Sequence, residues 1–188
     1  MNFNELFNDD TELLRSIRKQ ILLDIVTGCM NDRERAEIYG LPEGCRMRKH
    51  AKIFNSERLK CGKYVWIGEG AMLDATGGLE IGDYTQIGVH TLVWSHTSHN
   101  QALNSETCKT RNSIDLLPTK IGKNCFIVGP SAIAPGVTIG DRVLISPGSF
   151  VNRDLPDDAR FNNNKIIGDL ERRIEDLELL IKGVDHGY

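Results

Sequence analysis

Through the second half of the chain an aliphatic residue returns at every sixth position: Ile121, Ile127, Ile133, Ile139, Ile145 and Val151. Four positions after each of the first five come Cys125, Ser131, Val137, Val143 and Ser149, all small or β-branched. Gly122, Gly140 and the pairs Pro135-Gly136 and Pro147-Gly148 fall between them. Simple alternation would also bring an aliphatic to every sixth place, but it would not hold glycines and small residues at set offsets. One buried aliphatic per six residues predicts one short strand and one corner of a triangular parallel β-helix coil. Three such units close a coil and stack the aliphatics into an interior ladder, so each coil is stable only against its neighbours. The small residue is expected at the corner, where a larger side chain would clash.

The same ladder runs upstream from about Cys61, through Ile67 and Leu73, with Val65 and Ala71 in the small slots. Asp74-Ala-Thr-Gly-Gly-Leu79 shifts the phase by two residues, and its double glycine reads as a tight turn. Ile81, Ile87 and Val93 resume, with Thr85, Thr91 and Thr97 at the corners. The next rung would be His99, where the pattern stops until Ile121. The stretch between, a loop over 100–119, is polar apart from Ile114, Leu116 and Leu117. A loop of this length leaving a regular solenoid is usually functional or disordered. Its place behind a histidine-rich segment favours function.

Outside the repeat the pattern is helical. Asp9-Asp10-Thr11 offers a helix start, followed by a stripe of Leu13, Leu14, Ile17, Ile21, Leu22 and Ile25 that ends at Gly28. Asn31 can cap a second short helix over Asp32–Tyr39 before Gly40-Leu-Pro. This pair is expected to cover the first coil, with a share in shaping a binding pocket as the alternative. At the other end Leu170, Ile174, Leu177 and Ile181 give a short heptad-like helix, to pack on its own β-helix or to join a trimer. The expected organisation is an N-terminal helical segment over 1–50, a β-helix over 51–155, and a C-terminal tail and helix over 156–188.

Composition narrows the setting. Hydrophobic residues make up 40% and charged residues 26%, and the formal net charge is -3, so no nucleic-acid or anionic membrane partner is implied. The basic cluster Arg46, Arg48, Lys49 and Lys52 reads as a solvated face or a phosphate contact. No apolar run approaches a membrane span. The start, Met-Asn-Phe-Asn-Glu, lacks the basic and apolar regions of a signal peptide. The five cysteines are widely spread with no C-x-x-C, which together points to a cytoplasmic protein with free thiols.

The run Ile121-Gly-Lys-Asn-Cys-Phe-Ile-Val-Gly-Pro with Ile133-Ala-Pro-Gly-Val-Thr-Ile-Gly-Asp resembles the hexapeptide-repeat acyltransferases, and within them the sugar O-acetyltransferase group. That group includes maltose, galactoside, capsule, O-antigen and xenobiotic acetyltransferases. The resemblance covers roughly residues 59–166. It implies a left-handed parallel β-helix, an exception to the usual right-handed crossover, and acetyl-CoA as co-substrate without a metal. It further implies a homotrimer, whose groove between adjacent prisms would unite residues several coils apart and give three sites.

Trp94-Ser-His96-Thr-Ser-His99-Asn carries the strongest chemical signal. O-acetyl transfer from a thioester needs a base for the acceptor hydroxyl, and imidazole titrates near working pH. In the resembling family the catalytic histidine falls five or six places after the last regular rung. Counted from Val93 this favours His99, with His96 as the alternative and His90 structural. By the same resemblance Glu106 would orient the imidazole, a role a backbone carbonyl could equally fill. Gly129, Pro147, Asn152, Arg153 and Lys165 would line the coenzyme groove, Arg153 and Lys165 addressing phosphates. Asp74 and Trp94 fall on the acceptor side. Phe126 stands where the family has tryptophan, which removes an indole donor, and Phe161-Asn-Asn-Asn-Lys165 lacks the family's proline.

The expected function is acetyl-CoA-dependent O-acetylation of a sugar or glycan by direct transfer. The rivals are N-acetylation of an amino sugar, a non-catalytic β-helix, and a zinc protein of the γ-carbonic-anhydrase kind. For the last, His90, His96 and His99 could serve as ligands.

Overall fold

The computed structural model describes residues 12–104, 114–163, 173–174 and 177–178. Within them the six-residue period folds as a parallel β-solenoid of about five turns. The first face stacks strands Arg46–Met47, Trp66–Ile67, Gln86–Ile87, Phe126–Ile127, Leu144–Ile145 and Arg160–Phe161. The second stacks Lys52–Phe54, Met72–Asp74, Leu92–Val93, Ala132–Ile133 and Phe150–Val151. The third stacks Leu59–Cys61, Leu79–Ile81, Thr119–Ile121 and Thr138–Ile139.

Each rung meets the rung of the next coil in register: Ile67 with Ile87, Ile87 with Ile127, Ile127 with Ile145. Ile121, Ile127, Ile133, Ile139, Ile145 and Val151 are all buried. Burying such a side chain fully contributes about 1.5–3 kcal/mol, so the ladder dominates the stability of every coil. Cys125, Ser131, Val137, Val143 and Ser149 are buried at the corners, as their spacing predicts. His90 occupies a left-handed corner, φ 53°, with its ring over Gly70.

The solenoid is longer than the sequence reading drew it. It opens at Arg46, because Met47 and Ile53 already keep the period and pair with Ile67 and Leu73, and its last strand is Arg160–Phe161. The two-residue phase shift is not a slip. The third-face strands of the early coils run three residues, and Leu79 and Ile81 both point inward. Coils one and two therefore repeat every twenty positions, as Ile53, Leu73 and Val93 show. The excursion is displaced too: Thr119–Ile121 is already back in register with Leu79–Ile81. Thr97, expected at a corner, lies in a two-residue strand with His96 that pairs antiparallel with Asp115–Leu116.

Helix α1 (Glu12–Asp24) buries Leu14 but leaves Leu13 exposed. Helix α2 (Asp32–Ile38) opens on Asn31, whose side chain accepts from Arg33 and Glu34 N–H while Glu34 returns a bond to the Asn31 N–H. Its Arg35 is buried and bonds the carbonyls of Thr27, Met30 and Met47, which ties the helical segment onto the first coil. Of the helix expected over Leu170–Ile181, residues 173, 174, 177 and 178 are helical with exposed side chains. Its other positions lie outside the described residues.

Candidate active site

Three stacked corners between the second and third faces build one cluster. In the first coil Asn55 takes a left-handed turn, φ 54°, into the short 3-10 helix Ser56–Arg58. In the second coil the corner is Asp74-Ala-Thr-Gly-Gly78. In the third the chain leaves the solenoid after Ser95 and rejoins it at Leu117, whose N–H donates to the Ser95 carbonyl at 2.8 Å. Helix α3 (His99–Leu103) lies in this excursion.

Twenty-residue coils put the second corner directly against the third. Asp74 is buried, and both of its carboxylate oxygens are engaged. Oδ1 accepts from Thr76 N–H at 3.0 Å and Thr76 Oγ1 at 2.5 Å. Oδ2 accepts from Ser95 N–H at 2.9 Å, Ser95 Oγ at 3.1 Å and His96 Nδ1 at 2.6 Å. Burial is the largest single influence and acts to raise the Asp74 pKa. Bonds from Thr76, Ser95 and His96 together outweigh it, holding the carboxyl at about 2 against an ordinary 3.8. An ionised carboxylate only accepts, so this hydrogen bond assigns a proton to His96 Nδ1; in the neutral ring Nε2 is then the nitrogen with the lone pair.

The cluster requires Gly77. Its N–H donates to Ser95 Oγ at 2.8 Å, and a Cβ there would stand 1.8 Å from the Ser95 carbonyl oxygen. The first corner braces the second from below: Asn55 Nδ2 donates to Thr76 Oγ1 at 2.7 Å, and Arg58 Nη1 donates to the Thr76 carbonyl. Beside this brace lies a cavity of about 380 Å³ lined by Asn55, Glu57, Arg58, Thr76, Ile114 and Leu116. One of its lining residues, Leu116, is the backbone partner of His96. Trp94, 37% exposed, sets its ring edgewise to the imidazole, with centroids 6.4 Å apart.

His99 stands differently. It is exposed on α3, and its Nδ1 meets the hydroxyl of Thr97 at 3.0 Å. Glu106 and Lys165 lie outside the described residues. Asp74, expected to offer its oxygens to an acceptor, spends them on protein donors and reaches the site through His96. Asn152 and Arg153 follow the last second-face strand and so share the His96 edge of the prism; the Arg153 guanidinium lies 5.6 Å from the centre of the Phe161 ring. Gly129 and Pro147 fall at a different corner, between the first and second faces. Gly129 is needed there for packing, since a Cβ would meet the Val89 carbonyl at 1.7 Å. Among the described residues no three or more His, Cys, Asp or Glu converge as metal ligands would.

Ser95, Thr76 and Asn55 were not anticipated from sequence. A signal was present nonetheless: a coil of twenty residues sets Asp74 one step before the position level with Ser95.

No protein-family model matches the chain. It is similar to the putative colanic acid biosynthesis acetyltransferase WcaF of Escherichia coli, 29% identical over 126 residues, or 67% of this chain. The match spans 65% of that relative's length. It is also similar to the bifunctional protein GlmU of Listeria monocytogenes, 30% identical over 111 residues, 55% of this chain and 21% of that protein. Among solved structures, a hexapeptide-repeat acetyltransferase from Vibrio cholerae superposes with a TM-score of 0.64 at 19% identity, covering 82% of this chain and 90% of that one. A galactoside acetyltransferase in complex with coenzyme A gives 0.64 at 20% identity, covering 84% of each chain. In its repeat and its solenoid the chain is thus similar to hexapeptide-repeat acetyltransferases, whose fold it shares.

Proposed function

We propose that the protein is an acetyl-CoA-dependent O-acetyltransferase acting on a hydroxyl of a sugar or glycan, with His96 as general base. The observation that carries this reading is the buried, ionised Asp74 bonded to His96 Nδ1 at the point where a long excursion leaves the solenoid. His96 Nε2 takes the proton of the acceptor hydroxyl as its oxygen attacks the thioester carbon. The carbon–sulfur bond breaks, and the imidazolium returns the proton to the departing thiolate. Asp74 stabilises that imidazolium and keeps the ring in the productive tautomer. His99 lacks such a carboxylate among the described residues, which is why His96 takes the role here. The cavity beside Thr76 and Leu116 receives the acceptor.

The finer reading includes a left-handed solenoid, a C-terminal helix and a cytoplasmic homotrimer. Met72, Leu92, Ala132 and Phe150 form one registered outward row on the second face, with Met72 and Phe150 largely exposed. Such an apolar row suits contact with a second copy. The coenzyme groove then runs between copies, with Asn152 and Arg153 on the His96 edge, Gly129 and Pro147 supplied from another corner, and Lys165 as a further phosphate contact. The WcaF relative is named as a putative colanic acid biosynthesis acetyltransferase and one fold neighbour as a galactoside acetyltransferase, which favours a glycan or sugar acceptor.

The test is thiol release from acetyl-CoA against a panel of sugars, nucleotide sugars and oligosaccharides, with the product identified as an ester or amide by mass and by alkaline lability. An O-acetyl ester formed on a carbohydrate is the expected result. Amide products alone, or no turnover with any acceptor, would contradict it.

A further inference from the structure

The short 3-10 helix Ser56–Arg58 of the first coil reaches Thr76 from both of its ends. Asn55 stands before its first residue, where an asparagine side chain ordinarily accepts from a helix N–H. Here it makes no such bond. Its Nδ2 instead donates to Thr76 Oγ1 at 2.7 Å, one coil on, and Arg58 at the other end donates to the Thr76 carbonyl. Asn55 is exposed, Thr76 partly buried and Asp74 buried, so these contacts run inward from the surface to the carboxylate.

Proton counting gives the contacts a direction. Thr76 has one hydroxyl proton and two polar partners. Asp74 Oδ1, at 2.5 Å, belongs to an ionised carboxylate that can only accept, so the proton goes there. Thr76 Oγ1 must then accept on its other side, and the Asn55 amide is the donor. Asn55 thus donates to Thr76, Thr76 donates to Asp74 Oδ1, and His96 Nδ1 donates to Asp74 Oδ2. An aspartate at position 55 would keep the shape and reverse the first bond, drawing the Thr76 proton away from Asp74.

We propose that Asn55 is a positioning residue for the reaction: its donated bond commits the Thr76 hydroxyl to Asp74 and so preserves the carboxylate that orients His96. This rests on the assignment of His96 as base. Burial works against the ionised carboxylate, and without the Thr76 hydroxyl Oδ1 keeps only the Thr76 N–H. Among the described residues the other charged or titratable groups beside this network are Arg58 at the Thr76 carbonyl, Glu57 on the cavity lining, and His99 and Asp115 on the excursion. The variants used leave all of them in place.

The experiment follows the Asp74 carboxyl by carbon-13 NMR as the folded protein is acidified. The wild-type midpoint should lie at about 2, against the ordinary 3.8. Thr76→Val and Asn55→Asp should each raise it by about 1 pH unit. Asn55→Gly suits a residue at φ 54° and leaves the hydroxyl able to go on donating, so its rise should be smaller. Thr76→Ser restores the hydroxyl and should titrate as the wild type. In the Thr76→Val background Asn55→Asp should add little, because the proton it redirects is gone. Asn55→Asp, at an exposed side chain, carries the test if Thr76→Val fails to fold. The kcat of Thr76→Val and Asn55→Asp should fall about 10-fold, part of the roughly 100-fold or more that a general base supplies, with the KM for acetyl-CoA little changed. A wild-type midpoint in both variants, full additivity in the double variant, or a raised midpoint with wild-type kcat would each overturn the proposal. Absence of turnover in the wild type would instead overturn the catalytic reading, and the titration separates the two because it needs no turnover.

Discussion

Asp74 Oδ2 lies 2.6 Å from His96 Nδ1, across a separation of 22 residues that one coil of the solenoid closes. The carboxylate is buried and the imidazole is partly open, so the pair has one protected end and one working end. On this arrangement Asp74 fixes the ring by tautomer and by orientation together. Asp74→Asn keeps the shape but offers an amide that can donate to Nδ1, which favours the wrong tautomer. Its kcat should fall about 100-fold or more, with the KM for acetyl-CoA little changed. An unaltered kcat in a folded Asp74→Asn protein would separate the aspartate from the reaction.

Acid stability provides a second, independent view of the same carboxylate. The folded pKa, about 2, lies below the ordinary 3.8, so the folded state binds fewer protons through this range. The stabilisation is therefore complete above about pH 4 and is lost as the pH falls toward 2. Thermal melts of the wild type should steepen their decline across that window, and those of Asp74→Asn should decline less. Parallel curves for the two proteins would show that Asp74 is not held ionised by its neighbours.

Gly77 tests the contact between the second and third corners. Gly77→Ala drives a Cβ into the Ser95 carbonyl, whereas Gly28→Ala meets nothing within 4 Å. Gly28→Ala should match the wild type in melting temperature and turnover. Gly77→Ala should lower both, with turnover affected more because Ser95 positions Asp74. Equal behaviour of the two variants in calorimetry and thiol-release assays would contradict the close packing.

The ladder itself sets the scale of stability. Ile127→Ala or Ile145→Ala removes a fully buried side chain from between two rungs. Each should cost about 2–5 kcal/mol, read as a displaced denaturant midpoint.

Association is tested on the second face. Phe150→Glu places a charge at the end of the row Met72, Leu92, Ala132 and Phe150. Light scattering should then show a smaller species than the wild type and turnover should fall, since the proposed groove lies between copies. A Phe150→Glu protein with wild-type mass and activity would direct the interface to another face.

The six-residue period was sufficient for the solenoid, because each rung is a buried aliphatic whose spacing equals one prism side. The proposed base was harder to read. Counting forward from Val93 measures distance along the chain, and it points to His99. What distinguishes His96 is a carboxylate one coil below, visible only once the early coils are known to be twenty residues long. The shift at Asp74-Ala-Thr-Gly-Gly held that information, since an extended third-face strand repeated at Leu59–Cys61 and Leu79–Ile81 lengthens each coil. Asn55 and Ser95 were illegible for a related reason: the partners of a polar corner residue are set by the stacking of coils, which spacing along the chain does not show.

The central assignment is tested most directly by acetyl-CoA turnover of His96→Gln and His99→Gln measured side by side at saturating acceptor. His96→Gln should lose about 100- to 10,000-fold in kcat, while His99→Gln stays within a few-fold of the wild type. The reverse order, with His99→Gln inactive and His96→Gln near normal, would contradict the account.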